Sequence, residues 1–154
     1  MSTYAQGAAE SRAATLLNRI LREFAAESGT VHFLGEDGML HLAASHGIPP
    51  VVLEKVQRIP VGKGMAGLAV ERRQPVNTCN LQTDTSGDVR PGARATGLQG
   101  AVAVPIFDGH DVVGALGIGV SQERAFSEAE LERLVDMGRE LAALRDPGQG
   151  KIPA

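Results

Sequence analysis

Apolar residues recur at helical spacing over Ala8–Glu27, where Leu17, Ile20, Leu21 and Phe24 stand three or four positions apart. Arg12, Arg19, Arg22 and Glu23 fill the polar side, Leu16 widens the apolar stripe, and Gly29 is the expected stop. The period then changes to that of strands. Thr30–Leu34 and Met39–Ser45 flank Glu36-Asp37-Gly38, and an Asp-Gly pair between alternating segments predicts a hairpin. After Pro49 and Pro50, Val51–Val56 reads as a short helix turning Val52, Leu53 and Val56 inward.

Ile59–Asp84 carries Gly62, Gly64 and Gly67 in an otherwise helix-friendly run. This predicts a strand end, a tight glycine turn, two turns of helix over about Met65–Arg72, and a strand at Pro75–Thr78. Asn80–Gly97 lacks any period and reads as a long loop. Ala101–Phe107 and Val112–Val120 are apolar strands joined around Asp108-Gly109. Ser127 and Glu130 have capping-box spacing, with Phe126 and Leu131 placed as a hydrophobic staple for a final helix that Asp146-Pro147-Gly148 ends. The order predicts one α+β domain over residues 8–146, with an antiparallel sheet, a flexible start at 1–7 and a flexible tail at 147–154.

Composition narrows the function more by exclusion than by choice. A chain of 154 residues with 43% hydrophobic content, one Tyr and no Trp supports a single aliphatic core. A net charge of −3 argues against partners that are nucleic acids or anionic membranes, which require a basic face. No apolar run has the length of a membrane span, and MSTYAQGAAESRAA has no secretory pattern. With a single cysteine excluding an internal disulfide, the expectation is a cytoplasmic protein, and abundant Ala and Arg point to a bacterial source. Gly62-Lys63-Gly64 lacks Walker spacing, the four histidines lack metal-ligand spacing, and no Ser-His-Asp order or paired-carboxylate pattern is evident.

Together, IPVGKGMAGLAVERRQPVNTCNLQTD and the later GAVAVPIFDGHDVVGALGIGVSQERAFSEAELERL resemble the GAF domain family over about Ala13 to Leu144. The resemblance implies a PAS-related, five- or six-stranded antiparallel sheet. Its N- and C-terminal helices would cover one face, and the short helices with the long loop would enclose a small-molecule pocket on the other. It implies a sensory or regulatory domain that is not an enzyme, with an unidentified ligand and no nameable cofactor.

In that pocket His32 and His41 are candidate lining residues, haem ligation by one of them being a minority option. Asp84, Arg90, Arg94 and Thr96 are candidate ligand-binding residues from the loop, the two arginines forming an anion clamp if the loop folds over the pocket. For each of these the plainer reading is an ordinary polar or solvated residue.

Cys79 resembles neither known use of a GAF cysteine. Sulfoxide-reductase relatives need a resolving thiol that this chain lacks, and bilin-binding relatives usually follow the cysteine with a histidine where Asn80 stands. Phe126 and Glu130 match half of a cyclic-nucleotide signature, but helix capping explains them equally well.

Leu131, Leu134, Val135, Met137, Leu141 and Leu144 occupy more than one face of the last helix, which predicts a surplus of apolar surface. A homodimer through Leu16, Ile20, Leu134 and Leu141 would cover it, with a separate protein receiving the signal. The alternatives are a ligand-free dimerisation or protein-interaction module and an enzyme of the free methionine-(R)-sulfoxide reductase kind.

Overall fold

The computed structural model describes residues 3–78, 80–83, 96–145 and 149–153, with side chains from residue 12 onward. Among the described residues ten elements follow one another: α1 (Thr3–Glu23), β1 (Ser28–Leu34), β2 (Met39–His46), α2 (Pro50–Lys55), β3 (Arg58–Pro60), α3 (Gly64–Arg72), β4 (Val76–Thr78), β5 (Gly100–Asp108), β6 (Asp111–Val120) and α4 (Glu128–Ala142). The six strands form one sheet in the order β3-β2-β1-β6-β5-β4, and every neighbouring pair is antiparallel. Both edges are three-residue strands, each too short to offer another chain a long template.

The period-2 pattern splits the sheet into two faces. Val31 and Phe33 of β1 and Val102, Val104 and Ile106 of β5 pack with Leu17, Ile20, Phe24, Leu134, Met137 and Leu141, so α1 and α4 cover one side. Leu34, Leu40, Ile59, Val70, Val112 and Ala115 form a second cluster on the α3 side. A bulge reconciles the two on β6. Ile106 pairs with Gly114 and Phe107 with Val112, which leaves Val113 unpaired and free to join the first cluster.

Local chemistry sets the boundaries. α1 stops at Glu23 because Ala25 takes a left-handed φ of +51°, so Ser28 and Gly29 belong to β1 rather than to a helix end and its stop. The Ser127–Glu130 capping box is present in both directions, and Phe126 is buried beside the partly buried Leu131. Gly67 is needed for close approach. A Cβ there would lie 2.5 Å from Pro60 O, and its own carbonyl accepts the Gly62 N–H at 2.9 Å, closing the glycine turn onto α3.

Two expectations are corrected. The stretch 147–154 is not loose throughout, since Ile152 exchanges two backbone hydrogen bonds with Val112, of 2.8 and 2.9 Å, and packs against the second cluster. Arg73 donates to the carbonyls of Ile152 and Pro153, and Lys151 pairs with Asp111. Ile152→Ala is expected to cost about 1 kcal/mol for a half-buried aliphatic side chain, measured by urea denaturation. A loose tail would cost nothing.

The second correction concerns the dimer surface. Ile20, Leu134 and Leu141 are each 0% exposed within one chain, and Leu16 is half-buried against the same core. The surplus apolar face of α4 is absent because the sheet and α1 already cover it. Among the described side chains α1 and α4 meet solvent with charge, Arg133 being bidentate to Glu23 at 2.8 and 3.0 Å and Arg19 on Glu140 at 3.0 Å. Among the described residues Val51 is the one large hydrophobic side chain left exposed.

Candidate functional site

A cavity of about 340 Å³ opens between the sheet and the helices α2 and α3. Its floor is the face of β1, β5 and β6 that α1 and α4 leave free, including Thr30, Ala101, Ala103 and Gly117. Ile48, Val52 and Val56 form one wall, Met65 and Ala66 another, and Leu81, Thr96 and Leu98 a third. The lining is mostly apolar with a few placed polar groups, the usual build of a small-molecule site.

His32 is the most constrained polar group in it. Strand alternation turns it away from Val31 and Phe33 toward the cavity, where it is 1% exposed. Nε2 lies 2.8 Å from Val56 O, and a carbonyl only accepts, so this nitrogen carries the proton. Burial pushes the imidazole pKa down from 6.5 to about 4; the bond to Val56 works against this and the nearby His41 with it. The ring is therefore neutral, and Nδ1 presents a lone pair with no partner. Ser28 Oγ, two strand pairs back along the same face, is likewise buried without a partner.

Among the described residues the positive charge at the site comes from lysine. Of the three lysines, Lys151 pairs with Asp111 at 3.4 Å, whereas Lys55 and Lys63 line the cavity, exposed, with no ion pair or hydrogen bond among the described residues. Lys55 ends α2, and Lys63 is the N-cap of α3 and makes no side-chain cap. The first backbone N–H groups of α3 belong to Gly64, Met65 and Ala66, all three at the cavity.

Of the residues expected at the site, His32 and Thr96 line the cavity, and Thr96 Oγ1 also accepts the Leu98 N–H at 3.1 Å. His41 does not line it and instead pairs with Asp37 at 2.9 Å on the hairpin. Asp84, Arg90, Arg94 and Cys79 lie outside the described residues. Sequence reasoning missed Ser28, Lys55 and Lys63. For Lys63 the signal was there, since a lysine between two turn glycines at a helix start stands where an N-terminus opens. Among the described residues no group of three or more His, Cys, Asp or Glu could hold a metal, and no helix is long and apolar enough to cross a membrane.

Residues 9–145 match the family model of the GAF domain. The chain belongs to the GAF family. The fold of this GAF domain is shared with the GAF domain of a phosphoenolpyruvate-protein phosphotransferase from Coxiella burnetii. That structure is 24% identical, with a TM-score of 0.72 over 88% of this chain and 80% of that one. It is also shared with a type II free methionine-R-sulfoxide reductase from Thermoplasma acidophilum, 20% identical with a TM-score of 0.73 over 91% and 94%. A free methionine-R-sulfoxide reductase from Neisseria meningitidis, solved with its substrate, is 18% identical with a TM-score of 0.70 over 94% and 91%. No curated protein matches the chain.

The two reductases correct the expectation that this GAF domain is not an enzyme. The same fold carries catalysis in them, and at 18% and 20% identity the likeness leaves the catalytic status of this chain open.

Proposed function

We propose that this GAF domain is a sensory or regulatory module that binds a small molecule in the cavity between the sheet and α2 and α3. The observation that carries the reading is the cavity itself: about 340 Å³ left unfilled on one face of a sheet whose other face is fully packed. A fold serving only as a scaffold would gain stability by filling that space with side chains. The occupied state would be passed to a separate protein through the walls of the cavity, to the extent that ligand binds two conformations with different affinity. A homodimer, if it forms, uses surface other than the buried Ile20, Leu134 and Leu141.

Native mass spectrometry of freshly purified protein tests this, run beside Gly117→Val. A Cβ at Gly117 faces the cavity floor, meeting Thr30 Oγ1 at 3.2 Å and Val102 O at 3.9 Å, so Thr30 yields slightly and the added methyls fill ligand space. Strand glycine also weakens a sheet, so the variant is expected to fold at least as well as the parent. The expected result is a defined non-covalent adduct on the parent that is lost on the folded variant. An adduct that persists on Gly117→Val would place the ligand elsewhere and sink the reading.

A further inference from the structure

Three features of the cavity select among ligands, given the small-molecule reading above. First, the neutral His32 ring offers a buried acceptor, Nδ1, with nothing to accept from. Second, Lys55 and Lys63 stand at the same cavity with no partner among the described residues, and Gly64, Met65 and Ala66 bring the start of α3 beside them. Both lysines and the positive end of a helix favour a negative charge there. Third, no carboxylate lines the cavity among the described residues, so a cationic group would be desolvated without compensation.

We propose that the cavity takes a small monocarboxylate: an apolar body, its carboxylate toward Lys55, Lys63 and the α3 N-terminus, and a neutral N–H or O–H donor directed at His32 Nδ1. The parts support one another chemically. An apolar ligand without charge would leave both lysines unused. A ligand carrying a second acceptor in place of the donor would set two lone pairs against each other, because Nε2–H is committed to Val56 O and the ring cannot change tautomer without breaking that bond. A doubly charged phosphate finds no described arginine lining the cavity to clamp it and a mostly apolar interior behind the lysines.

The Nδ1 atom is covered by its surroundings, so a donor reaches it only when those surroundings move aside. Val56, the C-cap of α2, accepts from the other ring nitrogen, so a donor engaging His32 acts through the ring on the end of α2.

Four probes of similar shape separate these terms by calorimetric titration of the full chain. Indole-3-acetate has the body, the carboxylate and the donor. Naphthalene-1-acetate lacks the donor, 3-methylindole lacks the charge, and tryptamine reverses it. Indole-3-acetate is expected to bind, with each of the other three weaker by about tenfold or more. The exposed double variant Lys55→Ala/Lys63→Ala is expected to weaken indole-3-acetate by about tenfold and to leave 3-methylindole unchanged. Equal binding of naphthalene-1-acetate removes the His32 donor requirement and overturns the proposal. So does equal binding of 3-methylindole or tryptamine, or an unaffected double variant. Silence from all four probes also overturns this ligand class, whereas the cavity reading stands or falls separately on the adduct and its loss in Gly117→Val.

Discussion

Between pH 6.5 and pH 4 the fold is expected to lose about 3 kcal/mol of stability through His32 alone. The unfolded chain takes up a proton on this imidazole near its ordinary value of 6.5, whereas the folded chain resists until about 4 because the ring is buried. Stability from the neutral ring is therefore complete above 6.5 and drains away as the pH falls toward 4, at roughly 1.4 kcal/mol per pH unit. Three carboxylates act in a different window. Glu23, held low by Arg133, Asp37, held low by His41, and Glu130, held low by the Ser127 N–H and then Arg124, contribute above their ordinary range and lose that contribution only below it.

The check is urea denaturation from pH 7.5 to pH 4 on the parent and on His32→Gln, whose amide N–H can still donate to Val56 O. The variant is expected to start less stable at neutral pH and to show a nearly flat profile where the parent falls. Parallel profiles would mean that the ring protonates in the fold without penalty, and its burial would then carry no electrostatic consequence.

What the sequence shows well is what closes locally. The Ser127–Glu130 box needs partners three residues apart, and the two hairpins need an Asp-Gly pair between alternating strands, so each is visible in a short window. The placement of His32 on the free face of β1 follows from the same alternation. The failures are non-local. Nothing near Ile152 announces Val112, forty residues away, because a single bridge beyond the end of β1 depends on where that strand stops. The start of β1 was missed because a left-handed Ala25 ends α1 early, a conformation alanine seldom adopts and no composition rule anticipates. The significance of Lys55 and Lys63 lies in facing the cavity without a partner among the described residues, which is a property of the assembled surface rather than of either segment.

Leu134→Ala is expected to cost about 2–5 kcal/mol of folding stability and to leave the oligomeric state of the folded protein unchanged. A count of apolar positions on α4 predicts a surface that needs a second copy, yet the count is silent on the area facing it. In the folded chain the sheet and α1 enclose Leu134 completely, in one cluster with Ile20, Ile106, Met137 and Leu141. Truncation therefore removes buried methyl groups and leaves a void that the close-packed neighbours fill only in part. For a domain of this size the loss corresponds to a melting temperature lower by roughly 10 °C. Sedimentation at two protein concentrations gives the second readout. An interface residue would show the reverse pattern, with dissociation at low concentration and little change in the stability of the separated subunit. The outer faces of α1 and α4 favour the first outcome, since Arg19, Glu23, Arg133 and Glu140 already bind one another in water and would have to be stripped of it for two copies to meet there.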